Sequence, residues 1–367
     1  MKNTFGSSVA LTIFGESHGE MIGAVIDGLA PGIEIDEEKI AKRLELRKSD
    51  PLISTKRREP DRVSIVSGVF NKKTTGTPVC LLIANEDKRS ADYTKTKSLA
   101  RPGHADFSAR MKYHGFEDYR GGGHFSGRIT APIVAAGSIA LDILEKKGIT
   151  VGTHIQRLGD VFDLPFDDYE KQIKLLSEKE FAVISNEKGE EMKALISEAA
   201  KDGDSIGGVL ETAICGVPCG VGEPWFDSVE SVLSHALFSV PGVKGIQFGA
   251  GFDLVFKRGS EFNDEFEMKN GRVVTRTNHN GGINGGITNG MPITFRLAIK
   301  PTPSIFKEQH TVNIDTNENE ILLLSGRHDP AIIHRARIVV DSVSALVICD
   351  LLASRYGTDF LGGEESR

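Results

Sequence analysis

The length and composition of the sequence are those of a folded protein with one large domain or two lobes. The chain has 367 residues, of which 39% are hydrophobic and 26% are charged, and these values are close to the average for globular proteins. Lys and Arg total 44 against 51 Asp and Glu, so the formal net charge is −7. A net anion is unsuited to nonspecific binding of nucleic acid or of acidic membrane surfaces. Any anion site must therefore be locally basic.

No segment of the sequence predicts a disulfide framework, a metal site, a signal peptide or a membrane span. The four cysteines are too few and too scattered for a disulfide scaffold. The N-terminal apolar run is short and ends at Glu16, and the longest uncharged stretch, residues 129–141, is shorter than the roughly 18 residues that span a bilayer. We therefore expect a cytoplasmic protein with reduced cysteines.

Predicted strands occur in groups rather than in strict alternation with helices, which favours an α+β fold over a doubly wound parallel sheet. Pro132 and Gly148 bracket a long apolar helix, as an N-terminal proline and a C-terminal glycine do. Residues 258–290 are polar and rich in Gly and Asn, so they are predicted to form a long loop. The predicted strands are residues 9–14, 62–69, 77–84, 207–215 and 293–299. The predicted helices are residues 36–48, 132–147, 189–201, 227–239 and 338–355.

A basic segment lies between residues 39 and 62 of this acidic protein. It contains nine Lys or Arg against four Asp or Glu. Such a segment either binds a small anion or forms a solvated helix face with a charged loop, and composition alone leaves both interpretations open. Arg47, near the C-terminal end of the first predicted helix, is the residue that we expect to bind an anion.

A glycine-rich segment precedes the long apolar helix. Arg120, three consecutive glycines, Ser126 and Arg128 lie just before Pro132, so free backbone N–H groups, the positive end of a helix and two guanidinium groups converge there. The spacing matches neither the Walker loop nor the dinucleotide fingerprint. We predict an anion-binding loop, because a tight structural turn needs only one or two glycines.

Two histidines lie in glycine-containing segments, one at a strand end and one in a turn, as acid or base residues in a crevice do, although isolated surface histidines show the same pattern. His18 comes directly after the first predicted strand, and His104 lies in a Pro-Gly turn with Asp106 two residues further on. We expect the Asp106 carboxylate to hold the tautomer of His104. The two histidines are candidates for acid/base chemistry.

Two segments of the C-terminal third place polar groups beside prolines. Residues 300–304, Lys-Pro-Thr-Pro-Ser, supply an ammonium and two hydroxyls suited to a phosphate or a cofactor ring, or else form an ordinary strand exit. Asp329 precedes Pro330, and this position alone favours a helix cap. The arginines, histidines and glycine loops together predict a substrate that carries phosphate or carboxylate groups.

Seven segments, taken together, resemble chorismate synthases in order and in spacing from residue 5 to about residue 355. No segment alone identifies the family, whereas the series is highly specific. The segments are residues 15–19 (GESHG), 57–61 (RREPD), 67–70 (SGVF), 101–106 (RPGHAD), 119–123 (YRGGG, with Ser126 and Arg128), 300–302 (KPT) and 326–330 (GRHDP).

The resemblance implies an activity, a fold and an assembly. The reaction is the anti-1,4-elimination of phosphate and the C6 hydrogen from 5-enolpyruvylshikimate-3-phosphate, which gives chorismate and requires reduced FMN without net redox change. The fold is a β-α-β sandwich with antiparallel sheets outside and buried helices between them. It forms one domain over residues 1–367, with two pseudo-symmetric lobes as a further expectation, in a homotetramer.

Substrate-binding and catalytic residues follow from the same resemblance. Arg47, Arg128 and Arg327 match the arginines that bind the substrate. His18 matches the histidine near the leaving phosphate, where an imidazole with a pKa raised by the trianion donates a proton. His104 matches the histidine beside the reduced flavin.

Asp329 matches a carboxylate near flavin N5, so the resemblance replaces the helix-cap interpretation with a proton acceptor in relay with Ser17 and Ser126. NADPH is implied as the reductant if the protein reduces its own flavin. The cofactor-binding positions that the resemblance implies are His104, His124, Phe125, Ser126, Pro241, Gly242, Gly285, Lys300, Pro301, Thr302, Pro303, Ser304, Arg327 and Asp329.

The sequence departs from the family pattern in two places. After Arg47 it lacks the second arginine that the family usually shows, and His124 stands where many members have arginine. The alternatives are an NAD(P)H-dependent flavin reductase in the same pocket and a catalytically silent flavin-binding homologue. A nucleic-acid binder is disfavoured, because no aromatic residues interleave with the basic segment.

Overall fold

The computed structural model describes residues 2–48, 60–86, 97–324 and 328–362. Within these residues the strands are β1 (Thr4–Phe5), β2 (Ala10–Gly15), β3 (Met21–Asp27), β4 (Val63–Ser67), β5 (Val69–Phe70), β6 (Lys73–Thr74), β7 (Val79–Ala84), β8 (Thr150–Leu158), β9 (Val161–Phe162), β10 (Gly208–Cys215), β11 (Val243–Phe248), β12 (Phe266–Lys269), β13 (Arg272–Thr275), β14 (Ile283–Asn284), β15 (Ile287–Thr288), β16 (Ile293–Ile299), β17 (Gln309–Asn313) and β18 (Glu318–Leu322). The α-helices are α1 (Glu37–Glu45), α2 (Asp106–Tyr113), α3 (Thr130–Lys146), α4 (Tyr169–Ser177), α5 (Asn186–Lys201), α6 (Val229–Leu237), α7 (Gly259–Phe262) and α8 (Ile333–Tyr356).

Two five-stranded antiparallel sheets form the outer layers of the protein. The first has the strand order β1-β2-β3-β7-β4, and the second has the order β11-β16-β10-β8-β9. In β7, Val79, Leu81 and Ile83 are fully buried, whereas Cys80 and Leu82 between them are half-buried. This period of two is that of a strand with one face on the core. The apolar faces of both sheets are therefore available to pack on helices.

The helices between the sheets are apolar on nearly all sides. Helix α3 packs on β3 and β7 of the first sheet, α8 packs on β8 and β10 of the second, and the two helices pack on each other. Most residues of both helices are buried, as expected for helices without a polar face. The arrangement confirms the predicted α+β class and the β-α-β sandwich.

One helical segment, residues 127–146, is apolar and long enough to cross a membrane, yet 89% of its most apolar window is buried inside the protein. The sequence analysis counted only the uncharged residues 129–141, which end before Asp142, whereas α3 continues through this charged residue. The argument that this segment is too short to span a bilayer was therefore wrong. The burial is that of a core helix.

Close packing of α3 on α8 depends on a glycine. A Cβ atom at Gly137 would lie 2.6 Å from Cα of Ser342, so the two backbones can approach this closely only because α3 has no side chain there. Ser138 donates its hydroxyl hydrogen to the carbonyl of Val134 at 2.7 Å, and Ser342 donates to that of Ile338 at 2.7 Å. These bonds satisfy hydroxyls that are buried in the helix layer.

Each strand and helix predicted from the sequence is present, with boundaries that differ by a few residues. The largest difference is at α8, which begins at Ile333 rather than at residue 338. The prediction of one long loop over residues 258–290 was wrong, because this segment contains α7 and the hairpins β12–β13 and β14–β15. Short polar hairpins that turn at glycines with positive φ have the same composition as a loop.

Each half of the chain supplies one sheet and then one long central helix. Helix α3 follows the strands of the first sheet, and α8 follows those of the second. The single domain with two pseudo-symmetric lobes is compatible with this order and stays a prediction.

The last helix holds the N-terminal loop through one carboxylate. Asp350 in α8 accepts hydrogen bonds from the backbone N–H groups of Ser7 at 3.1 Å, Ser8 at 2.7 Å and Val9 at 2.8 Å. The charge strengthens these bonds, and they satisfy N–H groups at the start of the first sheet. Asp350 therefore ties the two ends of the chain together.

We expect Asp350→Ala to lower the free energy of unfolding by about 2–4 kcal/mol, because it removes the acceptor of three backbone N–H groups. Chemical denaturation followed by circular dichroism measures this loss. Asp359→Ala removes an exposed carboxylate nearby and should change stability by less than about 0.5 kcal/mol. Equal effects of the two substitutions would contradict the role given to Asp350.

Candidate active site

A large cleft lies where α3 and α8 begin. Its volume is about 860 Å³, which is within the range of small-molecule sites. Its walls include the first residues of both helices, the glycine-rich segment 120–128, and residues 101–106, 238–244 and 300–304. The fold thus brings together segments that are far apart in the sequence.

Most of the predicted site residues line this cleft. They are His18, Arg47, His104, His124, Phe125, Ser126, Arg128, Pro241, Gly242, Lys300, Pro301, Thr302, Pro303, Ser304 and Asp329. Ser17 is buried beside His18, and Gly285, in the turn between β14 and β15, is not among the described residues that line the cleft. Arg327, and the residues after Lys48 where the family's second arginine is missing, lie outside the described residues. The roles of Gly285 and Arg327 stay predictions.

The glycine-rich segment forms a turn that lies against His18. Gly121, Gly122 and Gly123 have φ values of 59°, 83° and 52°, in the left-handed region that favours glycine. A Cβ atom at Gly121 would lie 2.5 Å from Nδ1 of His18, so only glycine allows this approach. The predicted anion-binding loop therefore also forms a wall of the histidine site.

The hydroxyl of Ser17 orients His18. Ser17 Oγ donates to the carbonyl of Arg120 at 3.1 Å and lies 3.1 Å from Nδ1 of His18. With its hydroxyl hydrogen directed at a carbonyl, Ser17 can accept a hydrogen bond from an Nδ1–H of His18. Both residues are buried, so the position of the His18 ring is fixed, and its role as an acid or base stays a prediction.

The glycine-rich segment leads directly into α3. Ser126 Oγ accepts a hydrogen bond from the backbone N–H of Arg128 at 3.3 Å and caps the turn that precedes the helix. His124 donates from Nδ1 to the carbonyl of Gly15 at 2.8 Å, which fastens the segment to the end of β2. The positive end of α3 therefore lies at the cleft.

Two buried arginines in the cleft share one carboxylate. Arg47 donates to Oδ2 of Asp61 at 2.6 Å, and Arg128 donates to Oδ1 of the same group. Arg128 also donates to Oδ1 of Asn85 at 3.0 Å. Burial alone would raise the pKa of Asp61, but the charges of Arg47 and Arg128 outweigh burial and hold this pKa below its usual value. Asp61 is therefore ionised at neutral pH.

His104 contacts the 300–304 segment instead of the neighbouring carboxylate. Its Nε2 lies 2.7 Å from Oγ of Ser304, whereas Asp106 accepts two hydrogen bonds of 2.7 Å from Arg101. The prediction that Asp106 holds the His104 tautomer was wrong, because the guanidinium group takes both carboxylate oxygens. Burial, followed by the charge of Arg101, lowers the pKa of His104 to about 4. The imidazole is thus neutral at pH 7, and a bound anion would have to raise its pKa to make it a cation.

The 300–304 segment brings an ammonium and an unsatisfied hydroxyl to the cleft. Nζ of Lys300 donates to the carbonyl of Gly103 at 2.6 Å, and burial followed by the charge of Lys244 lowers the pKa of Lys300. Oγ1 of Thr302 is buried and has no hydrogen-bond partner within the part of the chain that the structure describes. A buried polar atom of this kind costs free energy unless a ligand completes its hydrogen bonding. These groups fit a phosphate and the polar edge of a flavin.

Asp329 pairs with an arginine in the first turn of α8. Its carboxylate accepts a hydrogen bond from Arg335, and Nε of Arg335 donates to the carbonyl of Arg47 at 2.9 Å. The N-cap residue of α8 is Ile332, so Asp329 is a cleft carboxylate and not the N-cap of this helix. Arg335 thus joins this carboxylate to the segment that carries Arg47.

Sequence reasoning missed several charged or titratable residues of the cleft, among them Asp61, Lys244, His328 and Arg335. Asp61 and His328 lie inside the segments RREPD and GRHDP, so their membership of these motifs could have identified them. Lys244 in β11 and Arg335 in α8 have no local signal, because each resembles an ordinary surface residue of its element.

We expect the imidazole of His104 to stay neutral in the ligand-free protein down to about pH 4. An NMR titration of the histidine ring signals, assigned with His104→Asn, measures this pKa. Because the pKa lies below the usual 6.5, the neutral ring favours the folded state above pH 6.5, and this contribution is lost as the pH falls towards 4. The unfolding free energy of the wild type should therefore fall more steeply over this range than that of His104→Asn. A midpoint at or above 6.5 would contradict the environment described for His104.

Both the sequence and the fold are similar to those of proteins with a known family. The chorismate synthase family profile matches residues 9–353. Chorismate synthase from Pyrococcus abyssi is 46% identical over 353 residues, which cover 95% of this chain and 97% of that protein. Chorismate synthase from Dehalococcoides mccartyi is 46% identical over 354 residues, which cover 96% of each protein.

A solved structure has the same architecture. The crystal structure of a chorismate synthase aligns with a TM-score of 0.75 at 28% identity, covering 96% of this chain and 94% of that one. The similarity in sequence and the similarity in fold each extend over nearly the whole chain. Both agree with the series of motifs whose residues meet in the cleft, and the chain belongs to the chorismate synthase family.

Proposed function

We propose that this enzyme removes phosphate and the C6 hydrogen from 5-enolpyruvylshikimate-3-phosphate by anti-1,4-elimination, giving chorismate, with reduced FMN bound and without net redox change. The observation that carries the proposal is the composition of one cleft of about 860 Å³. It combines buried arginines and His18, suited to an anionic substrate, with Lys300, Thr302 and His104, suited to a phosphate-bearing cofactor. Membership of the chorismate synthase family supports a small-molecule substrate.

The arginines and His18 are assigned to the substrate. Its two carboxylates and its phosphate require several fixed cations in a partly buried site. Arg47 and Arg128 are each 6% exposed, so their charges are poorly screened by water. His18 donates a proton from Nε2 to the leaving phosphate oxygen, while Ser17 holds Nδ1.

A second group of cleft residues is assigned to FMN. When bound, reduced FMN supplies the electron density for the elimination and takes up the C6 hydrogen. The residues of this chain orient the cofactor and exclude water: Lys300 offers a cation, Thr302 offers a buried hydroxyl, and His104 is held by Ser304. NADPH is the proposed reductant if the enzyme reduces its own flavin.

Asp329 is assigned as the group that would accept a proton from the flavin once the C6 hydrogen has been taken up there, which restores the cofactor for the next turnover. Its ion pair with Arg335 determines where the carboxylate lies. Ser17 and Ser126 are the proposed relay. Ser17 already contacts His18, whereas Ser126 caps the turn before α3 and would have to leave that hydrogen bond to carry a proton.

A homotetramer in the cytoplasm completes the proposal. Four aromatic side chains, those of Trp225, Phe226, Phe252 and Phe256, are between 76% and 91% exposed. Exposed aromatic surface of this kind is typical of subunit interfaces. The four cysteines are free thiols, which is typical of a reducing compartment.

Anaerobic turnover of 5-enolpyruvylshikimate-3-phosphate with chemically reduced FMN tests the function. We expect chorismate and inorganic phosphate in equal amounts, measured by absorbance and by a phosphate assay. The same assay with oxidised FMN and NADPH shows whether the enzyme also reduces flavin. If no product forms with reduced FMN although FMN binds, the protein is a silent flavin-binding homologue and the proposal is wrong.

Substitutions test the assigned residues. His18→Ala and His104→Ala should each lower turnover by roughly 100-fold or more, the usual effect of removing a positioned acid or base. Arg128→Ala should mainly raise the KM for the substrate, because it removes a binding charge. Lys188→Ala, in α5 and outside the cleft, is the control, and melting temperatures check the fold. Wild-type rates in either histidine variant, or an unchanged KM in Arg128→Ala, would remove that residue from its role.

A further inference from the structure

Asp61 is a buried carboxylate that the proposed reaction does not use. Its side chain is 1% exposed, and those of Arg47 and Arg128 are 7% and 3% exposed. A negative charge at this position repels an anionic substrate, so it opposes the binding for which the two arginines are suited. A site that binds an anion well can contain this carboxylate only if Asp61 also contributes something that outweighs its repulsion of the substrate.

The carboxylate holds together two segments that carry like charges. Arg47 lies just after α1, and Arg128 lies just before α3. Two buried guanidinium groups that converge on one point repel each other, and a carboxylate that gives one oxygen to each of them offsets this repulsion. Asn85 also accepts from Arg128 at 3.0 Å, so the arrangement has more than one fixed contact.

The backbone at Asp61 adopts an uncommon conformation. Its φ is 49°, in the left-handed region that Asp tolerates better than most residues with side chains. Such conformations persist where the surrounding structure requires them, and they cluster at functional sites. Asp61 lies just before β4, and its carboxylate is directed at the two arginines.

We propose that Asp61 is a positioning residue whose carboxylate holds Arg47 and Arg128 at the spacing at which they bind the anionic substrate together. This inference rests on the proposed function, which assigns both arginines to that substrate. Arginines that are already in place need little reorganisation when the substrate arrives, and this gain exceeds the repulsion from one carboxylate. The bridge persists at neutral pH, because the arginines hold the pKa of Asp61 below its usual value.

Asp61→Asn tests the inference with little change in shape. The amide oxygen can accept from one arginine, but the amide nitrogen presents N–H groups to the other, which is therefore released. We expect the KM for 5-enolpyruvylshikimate-3-phosphate to rise about 10-fold or more, the scale of a lost hydrogen bond to a charged group. The kcat should change by less than about 3-fold, and the Kd for FMN by less than about 2-fold, because the arginine pair binds only the substrate.

Asp142→Asn is the matched control. Asp142 in α3 also bridges two cations of the same segment, Lys39 at 3.4 Å and Arg43 at 2.8 Å, but none of the three residues lines the cleft. This variant should lower the melting temperature and leave the KM within about 2-fold of the wild-type value. The comparison separates positioning of the substrate from general stability.

Two outcomes would overturn the inference. A lower KM in Asp61→Asn would mean that the carboxylate competes with the substrate, and an unchanged KM with a lower melting temperature would mean that Asp61 is only structural. If the wild type forms no chorismate, the proposed function fails separately. Calorimetric binding of inorganic phosphate to both proteins then tests the positioning: weaker binding by the variant supports it, and equal or tighter binding overturns it.

Discussion

The packing of α3 against α8 determines where the cleft lies. Gly137 allows the two backbones to approach, and both helices begin at the same end of the sandwich, where their first residues line the cleft. Because the first N–H groups of a helix are unpaired and carry partial positive charge, two such ends favour anions. Ser126 and Arg128 precede α3, while Asp329 precedes α8 and Arg335 lies in its first turn. A shift of one helix against the other would therefore separate the two walls of the site.

Local signals in the sequence were sufficient for much of the fold and for most positions in the cleft. Pro132 and Gly148 bracket α3 correctly, because Gly148 has a φ of 72° just after the helix end and Pro132 lies in its first turn. The glycine-rich segment could be recognised because three consecutive glycines are needed only where the backbone adopts positive φ and approaches another group closely, here His18.

The contacts that organise the cleft could not be predicted, because they join residues that are remote in the sequence. Asp106 is the nearest carboxylate to His104 along the chain, yet Arg101 takes both of its oxygens, and His104 instead contacts Ser304, 200 residues away. The partners of Asp61 lie 14 and 67 residues from it. A motif identifies such residues as a group, whereas only the fold shows which members pair.

The N-terminal loop acquires its hydrogen-bond acceptor only after more than 340 further residues have been made. Asp350 lies 343 residues after Ser7, and α8, which carries it, also covers α3 and the second sheet. During synthesis the first sheet and α3 therefore emerge while the apolar surface that α8 will cover is still in contact with water. Until α8 leaves the ribosome, that surface is open to chaperones and to association with other nascent chains.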